Sequence, residues 1–278
     1  MSAPDRAPVV TLLTDYGLAD AFVGVLHGVI AGICPQARVI DISHGVARHD
    51  IYGGAVTLAQ AIPYMPAGVH VAIVDPAVGS ERLAVAVQAG EQRTFVGPDN
   101  GLLWPAVAAS GGPLRAFELS RSPWRLEPVS VTFHGRDIFA AVAAHLAAGE
   151  DLGLAGEEVD VAALVRLDMP APLLKDGALV AAVNSVDGFG NAQLAAARAE
   201  LAALGVRPGD QVRIGLGSGG FQLATFAVSF DAVAEGELVV LEDSAQLLAI
   251  AVNRGSAAAR LGLRAPDLVR LSLVPAGR

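Results

Sequence analysis

Two aspartates lie where polar ligands are commonly bound, directly after strand-like runs. Asp15 follows the apolar run 8–14, and Asp75 follows the run that begins at Gly68. In open parallel sheets, ligands bind beyond the carboxyl ends of the strands. A carboxylate there can accept hydrogen bonds from both hydroxyls of a ribose, or it can orient a base or a water molecule. Both aspartates also precede turn-forming residues, so position alone is equally consistent with a structural turn.

A histidine near the middle of the chain is a candidate base or orienting group. His134 lies in the segment FHGRD at 133–137, just before a predicted helix at 137–148. A loop histidine beside a glycine is well placed to exchange a proton with a ligand. The structural alternative is that Asp137 caps the helix, Arg136 is solvated and His134 has no role.

One arginine could support both groups. Arg82 lies with Ser80 in the loop after Asp75. An arginine near an aspartate and a histidine can keep the carboxylate ionised and help to bind water or hydroxide. Taken alone, Arg82 is more typical of a solvated surface charge.

Other catalytic motifs are absent or misplaced. The glycines at 215, 217 and 220 fit G-x-G-x-x-G, but a strand-like run at 221–230 follows them where a dinucleotide site needs a helix. A glycine hairpin is therefore the better interpretation. No G-x-S-x-G segment occurs. We predict no cofactor. We also predict no metal, because four histidines lack metal-ligand spacing: His44, His49, His70 and His145.

The first half of the chain alternates between strand-like and helix-like runs, which predicts a mostly parallel sheet with helices on both faces. Asp20 is placed to cap the first helix. The predicted strands are 8–14, 38–43, 68–75, 83–89, 94–96 and 114–119, and the predicted helices are 21–34, 50–62, 101–110 and 137–148.

The pattern changes near residue 165. The segment 166–177 holds two prolines and little periodicity, so we predict a linker between an α/β domain at 1–165 and a second domain at 178–278. Short strand-like runs separated by glycine turns predict that the second domain is a small β-barrel. These runs are 178–184, 211–216, 221–230 and 237–242, while 192–204 and a short piece near Leu247 do not fit the pattern.

Composition narrows the class of protein. The 278 residues are 53% hydrophobic and 17% charged, with a formal net charge of -9 and one cysteine, Cys34. An acidic chain is poorly suited to bind a nucleic-acid backbone, and one cysteine excludes an intrachain disulfide. The longest apolar stretches, 21–34 and 138–148, are too short to span a bilayer. We expect a cytoplasmic protein without membrane or nucleic-acid partners.

Several segments resemble one enzyme family in order and spacing. They are LLTDYGLADAFVGVLHGVI, IVDPAVGSER, VGPDNGLLW, FHGRDIF, VDGFGN and AVNRGSAA, and together they extend from about residue 9 to residue 263. The chain resembles the S-adenosylmethionine hydroxide adenosyltransferases, the hydrolytic relatives of fluorinase and chlorinase. This resemblance implies an α/β domain, a smaller C-terminal β-barrel and hydrolysis of S-adenosylmethionine (SAM) to adenosine and methionine. It also implies a homotrimer, with each active site between the first domain of one subunit and the second domain of the next.

The resemblance assigns roles to residues of the first domain. Asp75, Arg82 and His134 match the residues that handle the attacking water in the hydrolytic branch. The halide-using relatives have replaced the aspartate and the histidine, so their presence here favours water over halide. The implied substrate-binding residues of this domain are Asp15 for the ribose hydroxyls, Asp20 near the methionine end and Phe133 beside the reacting carbon.

The resemblance also assigns roles in the second domain. Asp187 would meet the methionine amino group, Phe189 and Asn191 the adenine, and Ser244 the methionine carboxylate. The run 244–251 departs from the family pattern S-G-Y-L-E-I-A by losing its glycine, tyrosine and glutamate, and Ala141 replaces a proline. Two alternatives stay open: halide-dependent cleavage of SAM, against which Asp75 and His134 argue, and a non-catalytic protein that binds SAM or adenosine, which the altered run allows.

Overall fold

The chain folds into two compact units. The computed structural model describes residues 7–90, 92–217 and 219–274. The division falls between Leu167 and Asp168. It lies within the segment 166–177, which also contains a short strand, β8 (Leu173–Lys175).

The first unit is built on a mixed sheet. Its described strands are β1 (Val9–Thr14), β2 (Arg38–Ser43), β3 (Gly68–Ile73), β4 (Ala84–Ala89), β5 (Arg93–Pro98), β6 (Pro113–Glu118) and β7 (Glu157–Val159). Their order in the sheet is β2-β1-β3-β5-β4-β6-β7. Strands β2, β1, β3 and β5 are parallel, whereas β4 is antiparallel to both of its neighbours and β7 is antiparallel to β6. Most strands therefore point the same way, and their carboxyl ends share one edge.

Helices cover both faces of this sheet. They are α1 (Phe22–Ile33), α2 (Ile51–Ala61), α3 (Trp104–Ala109) and α4 (Ala141–Ala147). Side chains of α1 and α4 share one core cluster with Leu12 of β1, and side chains of α2 and α3 share another with Leu13. Because successive strand residues point to opposite faces, these adjacent leucines anchor the two layers. In the described part of the chain, no helix has the length and apolar character needed to cross a bilayer.

The second unit is a closed barrel. Its strands after β8 are β9 (Ala178–Val186), β10 (Ala192–Ala197), β11 (Gln211–Gly215), β12 (Phe221–Phe226), β13 (Leu238–Glu242), β14 (Leu247–Val252) and β15 (Leu268–Leu273). The order β10-β14-β13-β12-β11-β15-β9 closes through pairing of β9 with β10. Two short helices, α5 (Arg198–Ala203) and α6 (Ala257–Leu261), complete the unit. The predicted fold class, an α/β domain followed by a smaller barrel, is confirmed.

Four local predictions differ from the structure or gain detail. Residues 192–204 divide into β10 and α5, and Leu247 begins β14. The predicted strand 221–230 ends at Phe226. The glycines around 215–220 connect the antiparallel strands β11 and β12, so the predicted hairpin is confirmed. Asp20 does not cap α1, because Ala21 occupies the cap position without a side-chain bond.

Candidate active site

A cleft opens at the carboxyl edge of the parallel strands. It has a volume of about 340 Å³, at the small end of the range of ligand pockets. Asp15 and Asp75 enter it from β1 and β3, which are adjacent, and Asp15 N donates to Ile73 O at 3.3 Å. The residues that line the cleft are Asp15, Tyr16, Asp20, Phe22, Arg48, His49, Asp75, Val78, Thr132 and Gly135.

Asp75 and Arg82 form a buried ion pair. Arg82 Nε lies 3.1 Å from each carboxylate oxygen of Asp75, and Nη2 lies 2.5 Å from Oδ2. The two side chains are 6% and 8% exposed, respectively. A buried pair of this kind is held firmly because removing either charge leaves the other uncompensated. The alternative in which Arg82 is a solvated surface charge is therefore wrong.

His134 completes the group through the same guanidinium. Arg82 Nη2 donates to His134 Nδ1 at 2.8 Å. Because an arginine can only donate, Nδ1 carries the lone pair and the proton of the neutral ring lies on Nε2. Burial lowers the pKa of His134, and the adjacent Arg82 lowers it further, against smaller opposing effects of Asp75 and Asp137. The imidazole is therefore neutral at neutral pH.

One nitrogen of Arg82 is left without a partner. Among the described residues, Nη1 is buried and makes no hydrogen bond. The guanidinium carbon lies 5.4 Å from the centre of the Phe139 ring, which covers it on an apolar side. A buried, charged donor of this kind is costly unless an oxygen atom satisfies it. An oxygen ligand at Nη1 would satisfy this donor and be polarised by its charge; of Asp75, Arg82 and His134, it is Asp75 that lines the cleft.

An irregular helical turn positions His134. Residues Gly135–Ala140 form a π-helical turn that continues into α4, and His134 directly precedes it. Asp137 does not cap this helix. It is buried inside it, accepts a hydrogen bond from Ser130 N at 2.8 Å and pairs with Arg136. The interpretation of Asp137 as a cap is wrong, and its carboxylate instead holds the loop that leads to His134.

Three aromatic rings lie together beside this group. Tyr16, Phe22 and Phe133 have ring centres 5.2 to 6.1 Å apart in mostly edge-to-face contacts. A Cβ at position 135 would lie too close to the Tyr16 hydroxyl, so a larger residue there would force the Tyr16 ring to move. Burial, together with the nearby carboxylates, raises the pKa of Tyr16 well above its usual range, so this ring stays neutral. Aromatic faces of this kind can hold a cationic ligand.

Asp15 is oriented by a loop that sequence reasoning missed. His49 N donates to Asp15 Oδ2 at 2.9 Å, and His49 has a left-handed backbone with φ of 65°. Arg48 also lines the cleft. Both residues follow β2, and the sheet order brings that loop beside β1. A non-glycine residue with positive φ carries no single-sequence signal, so this part of the site could not be predicted.

The predicted residues of the barrel unit cluster in one turn and one hairpin. In the turn between β9 and β10, Asp187 Oδ1 accepts from the backbone of Phe189 and of Asn191, each at 2.9 Å. Asn191 Nδ2 donates to Asp187 Oδ2 at 2.8 Å. The Phe189 side chain is 82% exposed. Ser244 is exposed in the hairpin between β13 and β14, where the neighbouring Asp243 accepts backbone bonds from 245 and 247.

Both units match one family. Residues 10–156 match the N-terminal domain of the SAM hydroxide adenosyltransferases, and residues 181–270 match their C-terminal domain. The fold and site are those of a two-domain α/β and β-barrel protein with a charged cleft. The chain belongs to the SAM hydroxide adenosyltransferase family.

Named relatives agree with this assignment. A protein of Salinispora tropica named (R)-S-adenosyl-L-methionine hydrolase is 47% identical over 95% of this chain and 98% of its own length. A Thermus thermophilus protein of the same name is 38% identical over 94% of this chain and 98% of its own length. A Nocardia brasiliensis fluorinase is 30% identical over 96% of this chain and 98% of its own length. A solved structure of an uncharacterized conserved protein from Thermotoga maritima has a TM-score of 0.88 and 35% identity, and the match covers 95% of this chain and 99% of that one.

Proposed function

We propose that this protein hydrolyses SAM to adenosine and L-methionine by attack of an activated water or hydroxide on the ribose 5′-carbon. The hydrolase names of its 38–47% identical relatives support this reaction. The observation that carries the proposal is that Nη1 of Arg82 is buried without a hydrogen-bond partner among the described residues, while Nε and Nη2 of the same guanidinium contact Asp75 and His134. An oxygen nucleophile would accept a hydrogen bond from this nitrogen.

The substrate needs no acid catalyst. Its sulfur is a sulfonium, so methionine leaves as a neutral thioether. The attack brings a hydroxide-like oxygen toward a cation, and charge is neutralised in the transition state. A cleft of low dielectric favours such a transition state over separated ions. The aromatic group of Tyr16, Phe22 and Phe133 supports binding of the sulfonium through its ring faces.

Arg82 stabilises the attacking oxygen through Nη1. Asp75 accepts the proton that this oxygen loses, since its Oδ1 receives a hydrogen bond from Nε alone among the described atoms and keeps a lone pair. His134 contributes as a hydrogen-bond acceptor that fixes the guanidinium, because its Nδ1 is already engaged and its Nε2 carries a proton. These separate roles refine the simpler hypothesis that Asp75 and His134 share the role of base.

The remaining residues hold the substrate. Asp15, with one oxygen oriented by His49, binds the ribose hydroxyls, and the exposed Asp20 lies near the methionine end. Phe133 borders the reacting carbon. The second domain supplies Asp187 for the methionine amino group, Phe189 and Asn191 for adenine, and Ser244 for the methionine carboxylate.

The complete site belongs to a homotrimer in which the second domain of one subunit faces the first domain of the next. The 82% exposure of Phe189 in the single chain supports this arrangement, because a large aromatic side chain at a loop tip is well suited to cover a ligand on another surface. Light scattering of the purified protein measures the assembly directly, and a monomer at assay concentrations would contradict it.

The test is product analysis with SAM in buffers containing fluoride, chloride or neither ion. We expect adenosine and methionine in equal amounts under all three conditions. A 5′-halo-adenosine would indicate halide-dependent cleavage, and binding without products would indicate a non-catalytic protein. Both epimers at sulfur are assayed separately, because the hydrolase relatives carry (R) in their names.

A further inference from the structure

A second cluster of polar side chains lies among residues that do not line the cleft. It consists of His27 on α1, Asp41 on β2 and His44 just after β2. His27 Nε2 lies 2.9 Å from Asp41 Oδ1, and His44 Nε2 lies 3.1 Å from the same oxygen. The three donor atoms all lie within 4.8 Å of one another. Two imidazole nitrogens and a carboxylate oxygen therefore converge on one point.

His44 has a buried nitrogen aimed into this cluster. Its side chain is 4% exposed, and among the described residues Nε2 makes no hydrogen bond of acceptable geometry. The other ring nitrogen, Nδ1, lies 2.9 Å from Thr14 Oγ1. When Nδ1 carries the proton and donates to Thr14, Nε2 presents a lone pair close to a carboxylate oxygen. Two electron-rich atoms so close together repel one another unless a cation, either a proton or a metal ion, lies between them.

We propose that His27, Asp41 and His44 bind a divalent transition-metal ion of the zinc type through both Nε2 atoms and the carboxylate. Donor atoms about 2.1 Å from one ion lie roughly 3.4 Å apart in a tetrahedral arrangement, so the measured separations of 2.9 and 3.1 Å require only a small outward movement of the side chains. Imidazole ligands favour zinc-type ions over magnesium or calcium, which take oxygen ligands. The Thr14 hydroxyl supplies the outer-shell contact that metal-bound histidines commonly have.

The ion would be structural and would enter from solvent. The side chains of His27 and Asp41 are 39% and 42% exposed, so water can fill the remaining coordination positions. The ion ties α1 to β2. It also steadies the turn after β1, since His44 O accepts from Gly17 N at 2.8 Å. The prediction of no metal rested on linear spacing, and a site assembled from a helix and a strand has none.

The experiment uses full-length, untagged protein stripped of metal and titrated with Zn²⁺ by calorimetry and thermal unfolding. We expect one Zn²⁺ per chain. At a free concentration one hundred times Kd, the unfolding equilibrium constant should fall about a hundredfold, and the melting temperature should rise by roughly 5–10 °C. Long-range ¹H–¹⁵N spectra should show the Nε2 signals of His27 and His44 moving on addition of Zn²⁺.

Three variants make the test specific. His27→Gln and Asp41→Asn are conservative changes at half-exposed side chains, and each should weaken Zn²⁺ binding at least about tenfold. The matched control is His145→Gln, which removes a histidine stacked on Trp124, and it should bind Zn²⁺ as the unaltered protein does. Binding that is substoichiometric, or that is unchanged in both cluster variants, overturns the proposal.

Discussion

Replacing Arg82 with lysine isolates the geometry of the guanidinium from its charge. The guanidinium contacts both oxygens of Asp75, donates to His134 and leaves Nη1 for the attacking oxygen. Lysine keeps the positive charge beside the buried carboxylate, so it avoids the penalty of about 3–5 kcal/mol expected when one partner of a buried pair is removed. Its single ammonium cannot occupy all three positions. Losing one preorganised donor to a developing oxyanion costs about 10²–10³ in kcat.

The assay is adenosine release from SAM, followed chromatographically at saturating and limiting substrate. We expect Arg82→Lys to lower kcat about 100- to 1000-fold and to leave KM nearly unchanged, because Arg82 contacts the nucleophile and not the substrate. The control is Arg115→Lys, at an arginine that is 44% exposed and paired with Glu158 at the surface. It should change kcat less than about twofold. A folded Arg82→Lys protein that keeps more than about a tenth of the original kcat refutes the proposed role of Nη1.

Three further predictions concern protonation and assembly. Protonating His134 places a hydrogen against Arg82, so kcat/KM should fall on acidification with a midpoint below pH 6.5. This acidic decrease in kcat/KM should shift or vanish in His134→Gln. The pKa of buried His70 is lowered from 6.5 to about 4. The unfolded state therefore binds the proton more readily than the folded state. As the pH is lowered from 6.5 to about 4, this histidine should reduce the free energy of unfolding, measured by urea titration, by roughly 3 kcal/mol. The same dependence of that free energy on pH in His70→Gln would contradict this. Co-expression of Asp75→Asn and Asn191→Ala subunits in equal amounts should restore about a quarter of the original rate over the whole population, because each mixed trimer has one intact site of its three. No recovery would contradict shared sites.

The main elements of the first unit could be predicted because apolar runs and polar breaks alternate there. The strands of the barrel were harder to predict from the sequence. Strand β10 has the sequence AQLAAA, whose alanines favour a helix, yet it pairs with β9 and β14. Tertiary pairing therefore overrode local propensity at that point.

Only some residues of the candidate site could likewise be predicted from the sequence. The aspartates at 15 and 75 were predictable from the rule about strand ends, because β1 and β3 are neighbours in the sheet. The contact of Arg82 with His134 joins residues 52 positions apart in two loops, and no periodicity encodes it. The resemblance to a family supplied that association before the structure did. The contribution of His49 to orienting Asp15 depends on sheet order and backbone conformation together, so it emerged from the structure.

The central claim is that a solvent oxygen held by Arg82 attacks the 5′-carbon of SAM. A single turnover in ¹⁸O-labelled water tests it, with the products analysed by mass spectrometry. The account predicts one ¹⁸O atom on the 5′-hydroxyl of adenosine and none in methionine. Unlabelled adenosine, or label in methionine, would contradict direct attack by solvent at that carbon.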